Sequence, residues 1–113
     1  MPLRPWDFRI ADIIEAINNV LDYTDGMSFD EFVRDQKTVD AVIRNFIIIG
    51  EAASRLPDVF IEKYPNIPWR NMRDMRNILV HEYFGVDNRM VWKTVKKNLP
   101  PTLPLLRGIR EQS

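Results

Sequence analysis

Apolar residues along this 113-residue chain recur at three- and four-residue intervals, the mark of helices with one buried face, and nowhere settle into strand alternation. Over residues 7–25, Ile10, Ile13, Ile14, Ile17 and Leu21 share one helix face. Gly26 suits the stop, because glycine adopts a left-handed backbone freely. Ser28-Phe29-Asp30-Glu31 has capping-box spacing, with serine accepting from a backbone N–H and Glu31 reaching back. A short helix or bend is expected at 33–37, then a long helix through TVDAVIRNFIIIGEAASRL, residues 38–56, stopping before Pro57. Its small residues Gly50, Ala52, Ala53 and Ser54 would let another helix backbone approach closely. Residues 58–64 fit a short helix before the connector 65–68, and Pro68 fits the first turn of the next helix, where its missing N–H costs nothing. That helix should end near Gly85. Asp87 reads as the N-cap of a last helix carrying Val91, Val95 and Leu99, which Pro100, Pro101 and Pro104 should kink or interrupt. The predicted fold class is all-α: a bundle of four to five helices in one domain, residues 1–113.

Composition narrows the chemistry. There is no cysteine, so disulfides and thiolate metal sites are excluded, and one histidine excludes an imidazole-rich metal site within a single chain. No metal and no cofactor is expected. MPLRPWDFRI has no signal-like apolar run, and the aliphatic stretch 46–49 is too short to span a bilayer, so the expectation is a cytoplasmic protein without a membrane segment. A domain this small would gain from dimerising, because small domains bury a lower fraction of their surface. Net charge is zero but uneven. Residues 1–66 hold seven Lys/Arg against twelve Asp/Glu, and residues 67–113 hold nine against four. Clustered positive charge in the second half points mildly toward a phosphate-bearing partner.

One segment of that basic half, RNILVHEY at 76–83, stands out. On a helical wheel Arg70, Arg73, Asp74, Asn77 and His81 share one arc of roughly a third of the circle. Arg76 falls instead on the apolar margin, with Trp69, Met72, Val80 and Tyr83. A guanidinium placed there should meet a carboxylate, a phosphate or a second protein surface. Arg76 and His81 are five residues apart, about 140° of rotation, so an ideal helix does not align them. Two copies of the helix meeting across a two-fold axis would pool their groups. Simpler readings fit the same residues: a histidine interacting with the helix dipole, an arginine in a structural ion pair, a half-buried tyrosine. On spacing alone these stay open.

The segment matches the R-x4-H-x-Y motif of HepT-like proteins, members of the HEPN superfamily. The resemblance extends through TVDAVIRNFIIIGEAA, IPWRNMRDMRNILVHEYFGVD and VWKTV, so it covers nearly the whole chain; the proline-rich PPTLPLLRGIREQS departs from it. The resemblance implies a HEPN-type up-and-down bundle, a homodimer, and a metal-independent ribonuclease acting on tRNA or mRNA. It implies the toxin half of a type VII toxin–antitoxin pair, whose partner is an MntA-like nucleotidyltransferase. Carried over by position, Arg76 and His81 would serve cleavage with Asn77 beside them, and Tyr83 would accept adenylylation; Arg70 and Arg73, on the same arc as Asn77 and His81, are expected to contact RNA phosphates. The chemistry suits these residue types. With the ribose 2′-OH as nucleophile, the protein supplies proton transfer, which histidine does near neutral pH, and charge stabilisation, which arginine's planar fork does. The alternative is a non-catalytic helical module that binds a nucleotidyltransferase.

Overall fold

A computed structural model describes residues 6–82 and 85–111, with side chains through residue 109. Seven α-helical segments follow in order: α1 (Asp7–Thr24), α2 (Phe29–Arg34), α3 (Gln36–Ser54), α4 (Asp58–Lys63), α5 (Trp69–His81), α6 (Asn88–Lys93) and α7 (Leu99–Glu111). A π-helical turn, Thr94–Asn98, joins α6 to α7 in one rod. No strand occurs among the described residues, as the all-α reading requires. The described bundle thus consists of four long rods with two short helices, α2 and α4, between them.

The central element is α3, which packs against α1 on one side and α5 on the other, while α7 closes against α1. Its apolar face reaches Val39, Val42, Phe46, Ile49 and Ala53, all buried. On α1 the buried face is Ile10, Ile13, Ile17, Val20 and Thr24; Ile14 and Leu21 sit half-buried at its edge. A polar link spans α1 and α3 where Asn19 Nδ2 donates to Asn45 Oδ1 at 3.3 Å. Gly26 ends α1 at φ 75°, in the left-handed region.

The capping box forms: Glu31 N donates to Ser28 Oγ at 3.1 Å, and Ser28 N donates to Glu31 Oε1 at 3.0 Å. It starts α2 at Phe29, earlier than the 33–37 position expected. Asp35 then breaks the helix with φ −103° and ψ 88° and caps α3, accepting from Thr38 N at 3.2 Å. Phe32, fully buried, meets Trp92 of α6 at 4.9 Å between ring centroids.

The start of α5 is fixed by aromatic packing. The ring of Phe60 lies 5.6 Å from Trp6, 5.1 Å from Tyr64 and 6.1 Å from Trp69. Trp69 Nε1 donates to the Tyr64 carbonyl at 3.0 Å, so the first residue of α5 is anchored to the loop before it. At the other end α5 stops at His81, short of Gly85, where Glu82 turns to φ −122° and its N–H donates to the Ile78 carbonyl at 2.8 Å.

The prolines do not interrupt the last rod. Pro100 and Pro101 follow closely on the π-helical turn, and Pro104 lies within α7, all three exposed. Thr94 Oγ1 donates to the Met90 carbonyl at 3.0 Å and Thr102 Oγ1 to the Asn98 carbonyl at 2.8 Å. Val91, Val95, Leu99 and Leu103 are all buried although spaced by four. In an α-helix each such step drifts by about 40°. The wide turn at Thr94–Asn98 absorbs part of that drift and keeps the four on one side.

Candidate functional site

The site grows from the α3–α5 contact. A Cβ built on Gly50 would stand 2.1 Å from Arg76 Cβ and 2.7 Å from the Met72 carbonyl oxygen. Only glycine allows the two helices this close, which realises the expectation for the small-residue stretch at this position. The helices run antiparallel. Ala53 and Leu56 of the α3 end meet Arg73, whereas Gly50 and Glu51 meet Arg76 further along α5.

Of the three partners its position allowed, Arg76 finds a carboxylate. Its Nε donates to Glu51 Oε1 at 2.7 Å, its Nη2 pairs with the same oxygen, and its Nη1 donates to Asn77 Oδ1 at 3.0 Å. The pair is not sealed: the side chains of Arg76 and Glu51 are 30% and 39% exposed. A guanidinium carries five N–H groups. Three are used by described residues, which leaves one on each terminal nitrogen for an incoming anion.

The other expected residues divide. Arg73 donates through Nε and Nη2 to the Ala53 carbonyl at 3.3 and 3.1 Å, and through Nη2 to the Leu56 carbonyl at 3.4 Å. Its guanidinium therefore caps the end of α3, adding to the Leu56 N–H that the Ala53 carbonyl already accepts at 3.2 Å and supplying a donor to the Leu56 carbonyl. Arg70 and Asn77 are exposed. His81 is the last residue of α5, exposed, and makes no hydrogen bond or ion pair with another described residue. Because α5 stays helical from Arg76 to His81, the two side chains of one chain leave it on different sides. Tyr83 lies outside the described residues. Glu51 was not singled out in the sequence; the signal available was an acidic residue next to Gly50, on the helix predicted to pack closely with a partner.

Two further features frame the site. Ile47 is half-buried and Ile48 37% exposed on α3, one turn before Glu51; Val80, 42% exposed, lies one turn after Arg76. Apolar side chains on both helices thus stand one turn from the ion pair. On the last rod Arg89, Lys93, Lys96 and Lys97 are all exposed, with Lys96 Nζ 4.6 Å from the Trp92 ring centroid. No Asp or Glu occurs from residue 88 to 110. A separate, mostly apolar cavity of about 260 Å³ lies between α3, α5 and the last rod, lined by Phe46, Ile49, Met72, Met75 and Met90 among others, but not by Arg76, Asn77 or His81. No cluster of metal-ligating side chains, and no helix long and apolar enough to cross a membrane, is found among the described residues.

A helical bundle that displays a braced arginine and an open histidine on one helix has the makings of a phosphate-handling protein. Residues 13–109 match the family model described as "Ribonuclease HepT-like". The chain is 48% identical over 91 residues to "Probable ribonuclease HepT" of Thermococcus cleftensis, covering 80% of this chain and 83% of that protein. It is 42% identical over 100 residues to "Putative RNase MJ0127" of Methanocaldococcus jannaschii, covering 88% and 83%. No solved structure matches it significantly. The chain belongs to the HepT-like ribonuclease family, and its enzyme class is ribonuclease.

Proposed function

We propose that this protein is the toxin of a two-gene pair, a metal-independent ribonuclease that works as a homodimer on tRNA or mRNA. The observation that carries this reading is the guanidinium of Arg76, held by Glu51 and Asn77 with one N–H on each terminal nitrogen unused among the described residues, on the helix that ends in exposed His81. In the proposed reaction the ribose 2′-oxygen attacks the adjacent phosphorus. The P–O5′ bond breaks, the 5′-oxygen leaves with a proton, and a 2′,3′-cyclic phosphate remains. Arg76 holds the non-bridging oxygens as charge builds on them. A His81 imidazole takes the 2′-OH proton and another delivers one to the leaving oxygen.

One histidine per chain and its divergence from Arg76 favour two chains sharing a site. The margin of Ile47, Ile48 and Val80 beside the ion pair is a suitable contact surface. The exposed stripe Arg89, Lys93, Lys96 and Lys97 supports a polyanionic substrate, and Arg70 is freer than Arg73 to join it. The partner we propose is an MntA-like nucleotidyltransferase that neutralises the toxin by adenylylating Tyr83. The phenolic oxygen would attack the α-phosphorus of ATP and release pyrophosphate, placing an anion two residues from His81.

Purified protein tested on tRNA and mRNA should leave 2′,3′-cyclic phosphate ends, and Arg76→Ala or His81→Ala should abolish cleavage. Equal cleavage by folded variants would remove the proposal.

A further inference from the structure

We infer that Glu51 is a positioning residue of the same site, acting through Arg76; this rests on the ribonuclease reading above. Glu51 lies 25 residues upstream of Arg76, on a different helix and outside the R-x4-H-x-Y motif. One of its oxygens receives both the Nε–H and an Nη2–H of the guanidinium, gripping one edge of the fork. Asn77 holds Nη1. The planar group is thereby fixed in rotation about its last torsions, and its unused N–H pair is presented for a phosphate.

The alternative role for Glu51 is a fold-stabilising ion pair. The exposure of both side chains argues against a large contribution of that kind, since open pairs stabilise little. The placement is also not left to two flexible side chains. Gly50 brings the α3 backbone against the Cβ of Arg76, so the next residue starts within reach of the guanidinium. A carboxylate beside a phosphate site carries a cost, because it repels the incoming anion. Glu51 therefore raises turnover by orientation while weakening ground-state binding of RNA, and the two effects separate in kinetics.

The test compares Glu51→Ala and Glu51→Gln with the parent on one RNA, measuring kcat, KM and thermal midpoint, with Arg76→Ala and His81→Ala as references. Glu51→Ala should lower kcat by about 10- to 100-fold with KM unchanged or reduced, and with little change in midpoint. Glu51→Gln keeps an acceptor oxygen for Nε–H and should recover part of kcat. Turnover equal to or above the parent's in both variants would overturn the inference while leaving the ribonuclease reading intact. So would a loss of turnover that merely follows a matching loss of thermal stability in both. Cleavage surviving Arg76→Ala would instead sink the underlying reading. Should Glu51→Ala fail to fold, Glu51→Gln decides alone: lowered kcat at unchanged midpoint supports the role, and parental kcat refutes it.

Discussion

Gly50 and Arg76 meet with no room for a methyl group between them. A Cβ on Gly50 would fall 2.1 Å from Arg76 Cβ and 2.7 Å from the Met72 carbonyl, and a carbonyl in a helix cannot swing aside as a side-chain tip can. Gly50→Ala must push α5 away from α3. We expect it to cost about 1–3 kcal/mol by overpacking, read as a lower urea midpoint. Cleavage should fall further than the stability loss explains, because the same shift separates Arg76 from Glu51.

Arg73 and Arg70 should part ways under substitution. Arg73→Ala removes the side-chain donor from the Ala53 and Leu56 carbonyls, of which Ala53 keeps the Leu56 N–H, so we expect a loss of about 1 kcal/mol in denaturant unfolding and RNA affinity close to the parent's. Arg70→Ala, at an exposed position, should leave the unfolding curve unchanged and weaken RNA binding at low salt.

The stripe on the last rod gives a salt-dependence prediction. Replacing Lys93, Lys96 and Lys97 with alanine should reduce affinity for long RNA. It should also flatten the slope of log affinity against log salt by up to about 0.7 for each phosphate no longer neutralised. Cleavage of a dinucleotide, too short to reach the stripe, should continue at the parental rate.

Shared sites can be detected by mixing. If Arg76 of one chain works with His81 of another, the inactive Arg76→Ala and His81→Ala chains, combined after denaturation and refolding, should recover part of the activity. Ile48→Asp with Val80→Asp should yield monomers by light scattering and no cleavage. Mixed chains that stay silent while each still dimerises would count against the shared arrangement.

Acid should loosen the α2–α3 corner. Hydrogen bonds from the Ser28 backbone and then its side chain hold the Glu31 carboxyl below the ordinary carboxylate range. Those from the side chain and backbone of Thr38 do the same for Asp35. Both groups bind protons more weakly folded than unfolded. Their contribution is therefore present above the unfolded carboxylate range and lost as pH falls through the lower folded values, below about pH 4. The drop in thermal midpoint between pH 7 and pH 3 should be smaller in the Glu31→Gln, Asp35→Asn double variant.

Features carried by neighbours along the chain were legible in the sequence. The Ser28–Glu31 box and the stop at Gly26 follow from local rules and are present, while Pro68, expected in the first turn of α5, stands one residue earlier as its N-cap. Legible too was the need for a partner at Arg76 (a carboxylate, a phosphate or a second protein surface), which follows from its place on the apolar helix margin. The identity of that partner was not legible, because residues 51 and 76 meet through tertiary packing that no short window contains. Tertiary context also set the places where local reading slipped. Asp35 serves as the cap of α3, so α2 ends before it, and α5 stops at His81, short of the first glycine. Prolines that forecast a break stand on an exposed flank of a rod whose pitch widens just before them.

The π-helical turn at Thr94–Asn98 carries one residue more than ordinary pitch requires. That surplus makes it a length buffer: excising a single residue there would let the turn tighten to α geometry, with everything from Leu99 onward keeping its orientation. Relatives whose chains differ by one residue at this spot can thus share an unaltered C-terminal rod, whereas the same deletion inside α3 would swing Glu51 about a quarter-turn away from its arginine.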